Sequence, residues 1–235
     1  MTSKAIQYDE YTKADKVVMA VDCIIFGFDG EDLCILTIKR YFEPQMGAWS
    51  LVGGIVKNNE TLWSASERVL KKYTGLDDIF MQQVHTFSQV DRDPAERTIS
   101  TAYFALINIK DHNDKMIEEY SARWYKLKEC PTLVFDHNKM LNYALNLLRH
   151  KASTEPIAFE LLPEKFTMKQ LQKLYEAIWG IEIDKRNFVK KINSFKILER
   201  LEEKDTTTSK KGSYFYRFNA ETYKKESEDS MRLRY

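Results

Sequence analysis

The sequence predicts an α+β protein in two parts: a strand-rich mixed domain with a helix in its middle, then a small helix-turn-helix domain backed by a β-hairpin. Three observations lead there. β-branched apolar runs recur between residues 17 and 126 with one helical stretch among them. Two short amphipathic helices separated by a tight turn follow residue 166. Two strand-like runs joined by a polar tip close the second part.

Taken in order, "VVMAVDCIIFGF" (17–28) and "LCILTI" (33–38) are strands joined by the turn "DGED", and "WSLVGG" adds a shorter run. From Thr61 the apolar residues Leu62, Ala65, Val69 and Tyr73 recur at helical spacing, and Gly75 suits the C-terminal cap. Strand-like runs return at "IFMQQVHTFSQV", "TISTAYFALINI" and "RWYKL", which completes a mixed domain of about 130 residues. A helix, "NKMLNYALNLLRHKA", carries Leu141, Ala144, Leu145 and Leu148 on one face and leads into a junction, "STEPIAFELLP". The boundary is placed between residues 152 and 153, giving domains 1–152 and 153–235. Beyond it, Thr167 and Gln170 form a capping-box signature, and Leu171, Leu174, Tyr175 and Ile178 line a helix that stops at Gly180. Asp184 caps a second helix with the apolar stripe Phe188, Ile192 and Phe195. "ILERLEEK", the tip "DTTTSKKGS" and "YFYRFN" form the wing of a winged helix-turn-helix.

Composition narrows the class. Hydrophobic residues are 43% and charged residues 30% of 235, and no apolar run reaches the roughly 18 residues of a membrane span. The polar start "MTSKAIQYDEYTKADK" has no apolar core and no small-residue cleavage site, so a cytoplasmic location without membrane attachment is expected. Cys23, Cys34 and Cys130 have no metal-ligand spacing and read as reduced structural thiols. His85, His112, His137 and His150 also lack ligand spacing and stay outside the predicted site. The net charge of +1 hides an asymmetry: ten bases face five acids between Asp184 and Arg217.

Residues 53–76, "GGIVKNNETLWSASERVLKKYTGL", resemble the Nudix box. Its pattern is Gly, five residues, Glu, seven residues, Arg-Glu, an aliphatic residue, any residue, Glu-Glu, any residue, Gly and an aliphatic residue. Gly54, Glu60, Arg68, Leu70, Gly75 and Leu76 match in register. In the family the glutamates after the arginine hold Mg²⁺ or Mn²⁺ over a diphosphate; here those positions are Val69, Lys72 and Tyr73. Hard divalent cations need oxygen ligands, and an ammonium group repels them. Loss of hydrolysis is the expectation, with no catalytic residue, no metal and no cofactor, while Glu60 and Arg68 brace the loop against the helix.

"LLPEKFTMKQLQKLYEAIWGIEIDKRNFVKKI" resembles the C-terminal segment of Nudix-related transcription regulators. The two resemblances cover most of the chain, from Val17 to Phe218. Together they imply a Nudix-like mixed-sheet α/β/α domain followed by a winged helix-turn-helix domain. Once Phe188, Ile192 and Phe195 face the core, Lys185, Arg186, Asn187, Lys190, Lys191 and Asn193 occupy the remaining faces of the second helix. Arginine and asparagine have the donors to read base edges, whereas the lysines, with Lys210 and Lys211 of the wing, suit phosphates of double-stranded operator DNA. A solvated basic helix in a protein–protein domain is the plainer alternative.

Some members of this regulator family are associated with ADP-ribose-type nucleotides and others, with eroded boxes, with sugars such as arabinose. The eroded box here resembles the second group, so the expectation is a homodimeric repressor of carbohydrate utilisation genes whose operator binding is weakened by L-arabinose or another pentose. Asp22, Lys39, Arg40, Glu43, Trp49, Asp91 and Tyr103 lie on or beside strands that would flank the cleft, and are the predicted effector contacts. Trp49 and Tyr103 read equally as core aromatics, Lys39 and Arg40 as a strand end, and Asp91 with Arg92 as part of a turn. Two alternatives stay open: an ADP-ribose- or nucleotide-responsive regulator, and a divergent Nudix hydrolase using Glu67, Asp77 or Asp78 for metal.

Overall fold

The computed structural model describes residues 13–111, 119–207 and 212–225. Its central strands are β1 (Val18–Phe28) and β6 (Thr98–Asn108), paired in parallel from Val18 opposite Thr98 to Phe28 opposite Asn108. On the other edge of β1, β4 (Val52–Ile55) pairs with the first half and β2 (Leu33–Lys39) with the end. β2 also pairs with β3 (Trp49–Ser50) and β7 (Ala122–Lys126), and β5 (Phe80–Phe87) lies antiparallel on β6.

A continuous apolar strand is expected where both faces of a sheet are covered, and β1 is buried from Val21 to Phe28. Side chains alternate across it. Val21, Cys23 and Ile25 enter one core with Ala65, Val69, Leu70 and Tyr73 of α1 (Leu62–Thr74). Ile24, Phe26 and Phe28 enter the other with Met140, Leu141, Ala144 and Leu148 of α2 (His137–Thr154). The mixed sheet thus lies between helices, as the resemblance implies. α1 begins where the sequence places it, with Thr61 and Ser64 exchanging hydrogen bonds in a capping box. It ends at Gly75, whose φ of 73° suits a residue without Cβ.

In the second part, the short strand β8 (Phe166–Thr167) leads into α3 (Met168–Trp179) and α4 (Lys185–Ser194), followed by the hairpin of β9 (Leu198–Asp205) and β10 (Ser213–Phe218) and a last helix, α5 (Ala220–Lys225). Thr167 and Gln170 form the predicted reciprocal cap and Gly180 closes α3. Leu171, Leu174, Tyr175 and Ile178 of α3 are buried against Phe188, Ile192 and Phe195, with the Tyr175 and Phe188 rings 5.7 Å apart.

The segment read as a junction is packed. Residues 156–161 form a 3₁₀ turn that buries Ile157, Ala158, Phe159 and Leu161, and one apolar cluster runs from β1 through α2 to α3 and α4. α2 itself continues to Thr154, so residues 152 and 153 lie in its last turn. No helix among the described residues is long and apolar enough to cross a membrane.

Candidate functional site

A carboxylate in the middle of a buried strand requires partners, and Asp22 shows where the chemistry lies. It accepts a hydrogen bond from Ser100 Oγ at 2.6 Å and faces Arg92 Nη2 and His137 Nε2, each at 3.7 Å. Arg92, with its side chain 3% exposed, grips Asp136 through two parallel bonds, Nε to Oδ2 at 3.0 Å and Nη2 to Oδ1 at 2.7 Å. Arg97 helps to hold this loop by donating to the carbonyls of Ser88 and Gln89. His137 Nδ1 accepts the Leu51 N–H at 3.2 Å, which leaves Nε2 to carry the ring proton toward Asp22. Burial pushes the His137 pKa down and outweighs the raising effect of Asp22 and Asp136; Arg92 and Arg40 add to the lowering. Gly53 is required beside this cluster, because a Cβ there would lie 2.4 Å from Asp22 Oδ1 and 2.9 Å from the Val21 carbonyl oxygen.

This cluster is one wall of a cleft of about 450 Å³, also lined by Gly54, Arg68, Val69, Lys72 and Tyr73 and by the 40–44 loop. The box residues act as the sequence predicts. Glu60 accepts from Arg68 Nε and, at 2.8 Å, from Nη2, and its second oxygen also takes the Lys57 N–H; Arg68 Nη2 donates to the Ile55 carbonyl as well. These bonds pull the Glu60 pKa down to about 2 and tie the loop to α1.

The helix face beside them carries no carboxylate. Val69 is buried in the core, Tyr73 is a neutral phenol pushed up to about 12 by burial, and the Lys72 ammonium lies 5.0 and 5.1 Å from the Tyr73 and Tyr120 ring centres. Such a donor set does not fit Mg²⁺ or Mn²⁺. Glu67 instead accepts from the Trp63 indole and Asp77 pairs with Lys71; neither they nor Asp78 line the cleft. Among the described residues no group of three His, Cys, Asp or Glu is placed to hold a metal ion.

Of the predicted effector contacts, the structure brings Asp22, Arg40 and Glu43 to the cleft. Four others lie elsewhere and are corrected. Lys39 sits over the Trp49 ring, and Trp49 packs edge-on to Tyr125, because both leave the sheet away from the cleft. Tyr103 is buried on the α1 side, where it meets Trp63 and donates to Gln83. Asp91 is exposed in its turn, while its neighbour Arg92 points inward. Sequence reasoning missed Arg92, Asp136 and His137. They lie 44 residues or more from their partners on β1 and before β6, and no local spacing announces them.

A second face is basic. Lys185, Arg186, Asn187, Lys190, Lys191 and Asn193 are all exposed on α4, as predicted, and Asp184 caps the helix by accepting the Asn187 N–H at 2.8 Å. Lys210 and Lys211 lie outside the described residues. Two further bases, Arg200 and Lys204, stand on the wing with their charges 4.6 and 4.5 Å from the Tyr214 ring centre.

Comparison with known proteins agrees with this division. Residues 16–144 match the NUDIX domain and residues 158–218 the NrtR DNA-binding winged helix domain. The chain is 30% identical over 220 residues to the ADPR responsive transcriptional repressor NtrR of Acinetobacter baylyi, covering 91% of this chain and 88% of the relative. It is 33% identical over 126 residues to the ADP-ribose pyrophosphatase of Methanocaldococcus jannaschii, covering 52% of this chain and 70% of that one. The crystal structure of Shewanella oneidensis NrtR complexed with a 27mer DNA has a TM-score of 0.78 at 24% identity, over 87% of this chain and 94% of that one. With both domains in this order and a relative matched along most of its length, the chain belongs to the NrtR family of Nudix-fused transcriptional regulators.

Proposed function

We propose that the chain is an operator-binding repressor whose Nudix-type cleft takes ADP-ribose as its effector without hydrolysing it. The observation that carries this reading is a pair of cleft cations without a carboxylate partner. Asp22, Glu60, Arg68 and Arg92 are committed to one another or to neighbours, and the lining carboxylates Glu43, Asp93 and Glu96 accept nearby backbone N–H groups, yet Arg40 and Lys72 line the cleft with no carboxylate partner among the described residues. Arg40 is held by the Pro44 carbonyl and by the Phe42 and Phe135 rings, which leaves its terminal nitrogens for an anion. Two cations without a carboxylate partner suit a diphosphate, whereas a neutral pentose carries no charge for them to meet. Tyr41 and Phe42, 69% and 50% exposed at the mouth, offer faces for a base. The cleft volume falls in the range of roughly 300–1,000 Å³ usual for ligands of that size.

The relatives favour ADP-ribose over L-arabinose: one is named for its response to ADPR and another for cleaving ADP-ribose. Cleavage belongs to the relative with pyrophosphatase activity; here Val69, Lys72 and Tyr73 speak against it. Exposed donors on α4 suit operator DNA, and a two-fold homodimer would present two such helices to a palindromic site.

Thermal shift tests the reading with ADP-ribose in EDTA, ADP-ribose with Mg²⁺, and L-arabinose. A ligand at about 100 times its Kd adds roughly 2.7 kcal/mol to the folded state. The expected result is stabilisation by ADP-ribose in EDTA, none by L-arabinose, and no AMP released on incubation with Mg²⁺. Stabilisation by the pentose alone, or metal-dependent release of AMP, overturns it.

A further inference from the structure

α2 connects the cleft to the DNA-binding domain. Its first residue, His137, lines the cleft, faces Asp22 and accepts the Leu51 N–H. The residue before it, Asp136, is gripped by Arg92, another cleft residue. Asp136 makes no capping bond with its own helix, so its carboxylate is left to the arginine. The beginning of α2 is therefore held by side chains from β1 and from the loop before β6 and by the Leu51 backbone N–H.

Three turns later the helix grips the second domain reciprocally. Arg149 Nε donates to the Ile178 carbonyl at 2.8 Å, and the Trp179 indole N–H donates to the Arg149 carbonyl at 3.3 Å. Both partners lie at the end of α3, next to the Gly180 cap, where helical carbonyls lack intrahelical donors. Between the two ends Leu141, Ala144, Leu145 and Leu148 share one core with Leu171, Leu174, Tyr175 and Ile178, and Tyr175 packs on Phe188 of α4. Another polar link between the domains, Lys173 to Glu31 at 3.2 Å, joins two exposed side chains and is weak by nature.

We propose that α2 is the coupling element of this regulator and that Arg149 is its positioning residue: the state of the Asp22–Arg92–Asp136–His137 cluster sets the pose of α2, and the Arg149–Ile178 and Trp179–Arg149 bonds pass that pose to α3 and α4. The effector clause of this proposal rests on the ADP-ribose reading; the mechanical clause does not. An 18-residue helix spans about 27 Å, so a tilt of about 5° at the cleft moves the far end by roughly 2 Å. A shift of that size suffices to move a reading side chain from one base edge to the next hydrogen-bonding position, because such bonds tolerate only a few tenths of an ångström. Packed helices transmit such a movement because close-packed cores resist continuous deformation.

The experiment is a double-mutant cycle read on DNA affinity with the full chain and no ligand, using a duplex selected by the wild-type protein from a random library. Arg92→Lys keeps the charge but loses the two-pronged grip on Asp136 at the cleft end. Arg149→Met keeps the apolar stem but removes the donor at the far end. Trp179→Phe, which removes only the indole donor, serves as the second joint variant should Arg149→Met unfold. Arg92→Lys is expected to change the DNA Kd at least about 5-fold in the wild-type background and less than about 2-fold in either joint variant, within the coupling range of roughly 5- to 150-fold. Multiplicative effects, or no effect of Arg92→Lys, overturn the proposal.

A second arm adds ADP-ribose. The joint variants are expected to bind it as the wild type does while losing most of its effect on DNA affinity; an undiminished effect also overturns the proposal. Failure of the wild type to bind ADP-ribose would sink the effector assignment, and the ligand-free cycle would still decide the role of α2.

Discussion

Replacing Arg92 by methionine tests the assignment of the buried cluster as the frame of the cleft. The side chain is 3% exposed and makes two hydrogen bonds to Asp136, with Asp22 3.7 Å away, and the two carboxylates are themselves only 11% exposed. Methionine fills comparable volume but leaves both carboxylates facing each other without a cation. Breaking a buried pair from one side costs about 3–5 kcal/mol, because the remaining charge has lost its water and its partner. For a chain of this length, a melting temperature falls by roughly 2–4 °C per kcal/mol, so the expected drop is about 6–20 °C. Equilibrium urea unfolding, followed by far-UV circular dichroism and tryptophan fluorescence, measures the loss directly. Adding Asp136→Leu to Arg92→Met removes one of the two orphaned charges and leaves Asp22 its bond from Ser100, so the double variant is expected to recover part of the loss. Asp136 makes no capping bond, so nothing else in α2 is sacrificed. A single variant that loses less than about 1 kcal/mol, or a double variant worse than the single, would refute the claim that this cluster is a desolvated ion network.

Four further outcomes are expected. His137 has a depressed folded pKa, so the unfolded chain binds more protons below its ordinary value of 6.5; stability from this group is complete above that value and is lost as pH falls through it. The stability difference between wild type and His137→Asn should therefore shrink between pH 7 and 5, and a difference independent of pH contradicts a buried neutral imidazole. Gly53→Ala, whose Cβ would meet Asp22 and backbone at 2.4 and 2.9 Å, should cost about 1–3 kcal/mol by calorimetry. Gly54→Ala, limited by the Val69 methyl at 3.0 Å, should cost less, and the reverse order would argue against the cleft geometry. In binding-site selection Arg186→Ala should relax base preference, whereas Lys190→Ala should weaken all sequences alike and lower the salt slope by about 1; uniform loss from both makes Arg186 a phosphate contact. Phe188→Ala, which empties a fully buried ring site between α4 and Tyr175, should remove about 3–5 kcal/mol and abolish DNA binding while ADP-ribose binding persists.

The sequence by itself determined what is local. Thr61 with Gly75 and Thr167 with Gln170 and Gly180 announce their helices because caps and left-handed residues act within a few positions. The stripe Phe188, Ile192 and Phe195 dictates which face of α4 is left for Lys185, Arg186, Asn187, Lys190, Lys191 and Asn193, since a helix with one apolar face has only one way to dock. Arg68 lies eight residues from Glu60 and thirteen from Ile55, so the brace it makes to both was also legible. Tertiary structure alone decided the cleft. Of the seven residues expected there, Lys39, Trp49 and Tyr103 turn away, since neighbouring positions on a strand face opposite sides and the register that assigns the sides comes from distant strands, and Asp91 stays exposed in its turn. Arg92, in the middle of an unremarkable polar loop, becomes a buried cation only because Asp136, 44 residues on, and Asp22, on a strand covered from both sides, need its charge in a place that water does not reach.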